Sequence, residues 1–261
     1  VSDMATYTRF IALGDSFTEG MQDEKVNEQY RGWADRVAEA LATQVPNFTY
    51  LNLAVRGKLV GQVIDDQIPA ALPWIEGPST LVSFHAGAND LLRPSYDPNV
   101  VLPRYQEAIK ALAATGCQLM LFTAIERVAK SGKMQELWEQ RFSAFNKNVR
   151  QMAEQYNGIV IEATNDPDIA SRRFLDKDRL HLNPAGHRRV AQGVLQKIGG
   201  PHDPNWRSDL PPLPRRSFLA KAYDDVRWFV TFLIPWMSRR IRGVSSGDGR
   251  SPKHSEPIQL S

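Results

Sequence analysis

The chain has 261 residues, 42% of them hydrophobic and 23% charged, which admits a substantial α/β domain with an appendage and excludes a disordered or fibrous chain. Its net charge of +3 is unevenly placed: residues 1–200 hold 22 Lys and Arg against 23 Asp and Glu, and residues 201–261 hold 10 against 6. So small an excess, with no aromatic and basic residues interleaved on a recognisable module, argues against nucleic-acid binding. A lone cysteine, Cys117, excludes an intrachain disulfide and a thiolate metal site.

In chain order, short apolar runs of β-prone residues fall at Arg9–Leu13, Phe48–Leu53, Thr80–Phe84, Gln118–Thr123 and Gly158–Glu162, the pattern of buried parallel strands. Between them lie segments with helical spacing, such as Trp33, Val37, Ala40 and Leu41, then Val63, Ile64 and Ile68, then Tyr105, Ala108, Ile109 and Leu112. This alternation predicts a three-layer α/β/α sandwich around a five-stranded parallel sheet of flavodoxin-like order. The last helix should be capped by Asn183, with Pro184 at its first position, and stop at Gly199-Gly200-Pro201. These signals place a catalytic domain at 1–200, a Pro-rich linker at 201–216, an amphipathic helical extension at 217–243 and a disordered tail at 244–261.

The absence of a basic stretch leading into a long apolar one at the N-terminus makes cytoplasmic residence the expectation. No run of about 18 apolar residues is present, so an ordinary membrane-spanning helix is not expected. The aromatic stretch 228–237, followed by Arg239, Arg240 and Arg242, suits either a helix docked on the domain or one lying peripherally on anionic lipid. Docking is the preferred expectation, and peripheral membrane contact through 217–242 the alternative.

Three features bear on chemistry. Gly14-Asp15-Ser16 ends the first predicted strand, where ligands of open α/β sheets bind. Taken singly it reads equally as a turn or helix cap. Asp178-Arg179-Leu180-His181 puts a carboxylate and an imidazole in one loop before the final helix. Such a pair activates a serine hydroxyl: the imidazole accepts its proton and the carboxylate fixes the tautomer. Gly57 and Asn89 follow the second and third predicted strands, on the sheet edge that carries Ser16. With the Ser16 backbone N–H they could supply donors to a tetrahedral oxyanion, although a turn glycine and a capping asparagine would look the same.

Together the four blocks, Gly14-Asp15-Ser16, Gly57, Gly87-Ala88-Asn89-Asp90 and Asp178-Arg179-Leu180-His181, resemble those of the SGNH (GDSL) hydrolases, in the same order and over about residues 8–198. The resemblance implies the SGNH hydrolase fold and a serine esterase or lipase. It assigns Ser16 as nucleophile, His181 as base and then acid, Asp178 as its partner, and Ser16, Gly57 and Asn89 as the oxyanion hole. Phe17 departs from the Leu of the GDSL motif, at a position expected to pack rather than react. Asp90 is expected to hold the Asn89 loop, and no cofactor or metal is expected. His85 and His187 are expected to be structural, and Cys117 an inert buried thiol. Helical neighbours Asp65 and Asp66 point in different directions and make no metal site. The substrate is expected to be a small-molecule or lipid ester. Tyr30, Leu91, Leu92 and Val128 are candidates for the acyl pocket, and Trp33 for the core. Transfer of the acyl group to an alcohol, carbohydrate deacetylation, and a non-catalytic membrane-associated adaptor are the rival readings.

Overall fold

A computed structural model of the chain describes residues 6–125, 133–163, 166, 168–208, 210–214 and 217–260. Val128, a candidate for the acyl pocket, lies outside the described residues. Among these residues eight strands are formed: β1 (Arg9–Gly14), β2 (Lys25–Val26), β3 (Gln29–Tyr30), β4 (Thr49–Asn52), β5 (Thr80–His85), β6 (Gln118–Phe122), β7 (Ile159–Ile161) and β8 (His254–Gln259). β2 and β3 make a small hairpin. The other six form one sheet in the order β7-β6-β5-β1-β4-β8.

The strands β7 to β4 of that order are mutually parallel, and their order is flavodoxin-like. Burial on both faces explains the unbroken apolar runs. In β1, Ile11 and Leu13 pack with Val82 and Phe84 into one core, while Phe10 and Ala12 pack with Leu81 and Met120 into the other. The first core is covered by helical residues 60–71 and by the helices Pro98–Ala113 and Lys133–Gln155. The second is covered by Gly32–Ala42 and Pro184–Ile198. Trp33 is fully buried in that second core, and Leu91 in the first. The helix Pro184–Ile198 is capped by Asn183, whose Oδ1 accepts from Gly186 N at 3.0 Å, and ends at the left-handed Gly199.

The sheet has six strands, not five. The sixth, β8, pairs antiparallel with β4 and comes from the tail read as disordered from composition. Its sequence, His-Ser-Glu-Pro-Ile-Gln, lacks an apolar run because an edge strand buries little, and Pro257 is tolerated at an edge. What holds it is long-range: Ile258 and Leu260 pack on the second core, and Lys253 Nζ reaches Asp35 Oδ2 at 2.6 Å.

Flavodoxin-like order places a switch point between β1 and β5, where the outgoing crossovers go to opposite sides. β1 ends at Gly14, paired with His85 at the end of β5. A Cβ on Gly14 would lie 2.3 Å from the His85 carbonyl oxygen, so this close approach requires glycine. The chain then turns directly into Ser16, outside the carboxyl edge of the sheet.

Candidate active site

Three loops meet at that edge, and buried polar contacts tie each to the other two. Gln67, itself buried, completes both backbone groups of Gly14: Oε1 accepts from its N–H and Nε2 donates to its carbonyl, each at 2.8 Å. Asp15 caps the one-turn helix Ser16–Glu19 by accepting from Phe17 N, and its other oxygen accepts from Asn89 Nδ2 at 3.1 Å. Glu19 pairs through both carboxylate oxygens with Arg56, including the Arg56 N–H at 2.6 Å, which anchors the turn at Gly57. Asn89 Nδ2 also donates to the Lys58 carbonyl at 3.1 Å, and Asp90 Oδ2 accepts from Val60 N at 2.9 Å. Ser16, Gly57 and Asn89 are therefore fixed relative to one another by short bonds. Burial pushes the Asp90 carboxyl up to about 6, against the opposing effect of the Val60 N–H.

Gly57 has φ +75°, which the turn reserves for glycine, and a Cβ there would also crowd Ser245 Oγ of the overlying chain. Among the described residues the backbone N–H groups of Ser16 and Gly57 donate to no protein acceptor. Both residues line the same cavity as Asn89.

The loop before the final helix completes the site. Ser16 Oγ is 3.0 Å from His181 Nε2, and His181 Nδ1 is 2.6 Å from Asp178 Oδ2. Asp178 Oδ1 accepts from the backbone of Leu180 at 2.8 Å and of His181 at 2.9 Å, while Gln22 Nε2 donates to Oδ2 at 3.3 Å. Burial of Asp178 works to raise its pKa. The hydrogen bond and charge of His181, with the two backbone donors, outweigh it and hold the carboxyl at about 2. The carboxylate is thus charged at any neutral pH, and it holds the His181 proton on Nδ1, leaving Nε2 as the acceptor facing Ser16.

The other histidines play different parts. His187 is buried, its Nε2 is 3.0 Å from the Met21 carbonyl, and burial lowers its pKa to about 4, so it is neutral and structural. His85 packs on Phe17, with ring centroids 4.5 Å apart, and lines the cavity from beneath. Phe17 packs in turn on Trp33 and Phe122. Cys117 is half-buried, its thiol pushed up by burial. Asp65 and Asp66 pair separately, with Arg104 at 3.0 Å and Lys58 at 2.7 Å. Among the described residues no cluster of three potential metal ligands occurs.

The cavity above Ser16 has a volume of about 1090 Å³. Its floor is polar at Ser16, His181, Asp178, Gly57 and Asn89, and its walls are mostly apolar, with charged residues such as Arg93, Glu162 and Arg239 among them. Leu92, Ile125, Phe142, Val160, Ile169 and Leu175 of the α/β domain contribute to the walls, and the C-terminal segment adds more. That segment is helical through Phe218–Trp228, Phe229–Leu233 and Ile234–Ile241. It turns Trp228, Phe232 and Trp236 into the cavity. Trp228 Nε1 donates to the Asp178 carbonyl at 2.8 Å, and Asp225 pairs with Arg179 at 2.7 Å and Arg172 at 3.3 Å. Sequence reasoning placed this helix on the domain but did not find it over the site. Gln67, Glu19 and Gln22 carried no pattern that could have marked them.

A model of the GDSL-like lipase/acylhydrolase family matches residues 12–189. The chain belongs to that family. With it comes ester hydrolysis as the general activity. The sequence matches none of the curated proteins compared with it. Similar solved structures include a psychrotrophic esterase from Pseudoalteromonas sp., in a form inhibited by monoethylphosphonate, at 17% identity and TM-score 0.58, covering 74% of this chain and 97% of that one. An acetylxylan esterase from Geobacillus stearothermophilus is 20% identical at TM-score 0.55, covering 73% and 94%. An α/β hydrolase from the metagenome of Lake Arreo, Spain, is 20% identical at TM-score 0.56, with the same coverage. Two further structures of the Geobacillus enzyme are of catalytic mutants, at an Asp and a His three positions apart. At these identities the likeness establishes the fold. Among the described residues no helix is long and apolar enough to cross a membrane.

Proposed function

We propose that the protein hydrolyses carboxylic esters of apolar acyl groups through an acyl-enzyme on Ser16. The observation that carries this reading is the hydrogen-bonded line Ser16 Oγ, His181, Asp178, opening into a largely apolar cavity beside two backbone N–H groups that have no other acceptor among the described residues. Asp178 and His181 also stand three positions apart, the spacing changed in the catalytic mutants of the acetylxylan esterase.

In this mechanism His181 Nε2 takes the Ser16 hydroxyl proton as Oγ attacks the ester carbonyl carbon. The oxyanion of the tetrahedral intermediate accepts hydrogen bonds from the Ser16 and Gly57 N–H groups. Asn89 Nδ2 completes the set by sharing hydrogens it also gives to Asp15 and the Lys58 carbonyl. Collapse breaks the C–O bond, and the proton on His181 passes to the departing alcohol. Water then enters, is deprotonated by His181, attacks the acyl carbon and releases the acid, returning the proton to Ser16. Asp178 stays charged throughout and stabilises the imidazolium.

The cavity speaks for the acyl group. Ligand sites usually span about 300–1000 Å³, and an acetyl group would leave most of this one empty. A medium or long acyl chain against Leu92, Phe142, Phe232 and Trp236 fills it, which favours a lipid-like ester over carbohydrate deacetylation. The test is hydrolysis of p-nitrophenyl esters from acetate to palmitate by wild type and Ser16→Ala. The expected result is activity rising beyond butyrate in wild type and a loss of about 10⁴-fold or more in Ser16→Ala. Equal inactivity of both on every ester would overturn the reading in favour of acyl transfer or an adaptor. A profile confined to acetate would overturn the acyl-chain assignment in favour of deacetylation.

A further inference from the structure

The C-terminal helical segment has two apolar faces. The inner one, with Trp228, Phe232 and Trp236, walls the cavity over Ser16. The outer one carries Leu219, Tyr223, Val226, Val230 and Ile234, at steps of four, three, four and four residues. That spacing aligns them along one side of a helix for about 22 Å. All five are exposed, Leu219 at 78%, Val226 at 65% and Val230 at 55%. A helix that packs on a domain by one face ordinarily presents a polar opposite face, and a continuous apolar stripe of this length marks a contact surface.

Charge selects the kind of surface. Residues 217–242 hold five cations, Lys221, Arg227, Arg239, Arg240 and Arg242, against Asp224 and Asp225. Asp225 is already paired with Arg179 and Arg172 on the core. Residues 1–200 hold one more acidic residue than basic ones, so the protein's positive excess is concentrated in the C-terminal part of the chain, with this helical segment. A second copy of the same helix would bring like charges together, whereas anionic headgroups neutralise them.

We infer that the outer face of residues 218–241 docks on an anionic lipid surface, lying in its plane with the cavity mouth beside it. The inference rests on the cavity being an acyl-ester site, and it names where the ester comes from. Trp228 and Asp225 link the docked helix directly to the loop carrying Asp178 and His181, so the surface-bound element and the catalytic loop are neighbours.

The experiment uses the full chain in co-sedimentation with vesicles of phosphatidylcholine alone or with about 30% phosphatidylglycerol. Wild type should bind the anionic vesicles at least about tenfold more strongly than neutral ones, with the difference screened by salt. Val226→Asp/Val230→Asp should lose that binding while hydrolysing p-nitrophenyl butyrate within about twofold of wild type, since neither side chain lines the cavity. Ser16→Ala should bind vesicles like wild type, which separates docking from catalysis. No binding by wild type, or binding unchanged in the double variant, overturns the inference. A wild-type dimer in sedimentation equilibrium that the double variant dissociates overturns it in favour of a second copy.

Discussion

The floor and the roof of the cavity are built by opposite means. The floor, at Ser16, Gly57, Asn89 and the Asp178–His181 loop, sits on strand ends of the parallel sheet, and its loops are cross-tied by Gln67, Asp15, Glu19–Arg56 and Asp90. The roof is a helix whose outer side is exposed. It is attached at Trp228 and Asp225, and the chain beyond it is secured by Lys253 and β8. A rigid floor fits chemistry that needs reacting atoms placed within fractions of an ångström, and a roof held at few points can adapt to different acyl chains. Perturbing the floor should therefore change turnover for every ester, and perturbing the roof should change selection or stability.

Asp178→Asn gives the largest expected effect on this contrast. An amide cannot hold the His181 tautomer, so kcat should fall by about 10⁴-fold for acetate and palmitate alike. The same change sharpens the stability account. The carboxyl is lowered from 3.8 to about 2 on folding, so its stabilising contribution is complete above pH 4 and is lost as pH falls through 2. Urea unfolding should show wild type more stable than Asp178→Asn at pH 5, with the gap closing towards pH 2.

Lys253→Ala tests the tether. Burial pushes the Asp35 carboxyl up to about 7 even against Lys253, so above that pH the pair is charged and the lysine is its main cationic partner. In wild type the raised pKa means a contribution to stability that is full below 3.8 and lost as pH rises through 7. Removing Lys253 should cost about 3 kcal/mol at pH 8, where Asp35 must either stay charged without its partner or take up a proton from a basic medium. The cost should be smaller at pH 5.5, where Asp35 is already protonated in wild type. Equal costs at both pH values would contradict this assignment.

Phe232→Ala gives the smallest effect. Loss of one partly buried ring from the roof should raise KM for palmitate by about fivefold, near 1 kcal/mol, and leave acetate unchanged. A uniform drop in kcat across the series would instead place Phe232 in the chemistry.

How much of this was legible in the sequence follows from the same contrast. The five parallel strands announce themselves because burial on both faces forces apolar runs such as Phe10–Leu13 and Leu119–Phe122. The residues of the floor stand out because strand ends and a loop before a final helix are places where polar residues are spaced in recognisable blocks. β8 was not legible: an edge strand with Glu256 and Pro257 has no periodic signal, and its order depends on Asp35, over two hundred residues earlier. The roof was half legible. Its aromatics marked 228–237 as unusual, but nothing local says that Trp228 finds the Asp178 carbonyl and so turns Phe232 into the cavity. Gln67 and Gln22 are single polar residues whose roles exist only in three dimensions.

The central claim is that Ser16 forms a covalent acyl-enzyme, and the most direct measurement is intact and peptide mass after reaction with a p-nitrophenyl alkylphosphonate. A phosphonate traps the nucleophile as a stable analogue of the tetrahedral intermediate. The account predicts one adduct per chain, on the peptide bearing Ser16, formed with release of one p-nitrophenol and absent from Ser16→Ala. An adduct on another residue, or full ester hydrolysis with no adduct and no loss in Ser16→Ala, would contradict it.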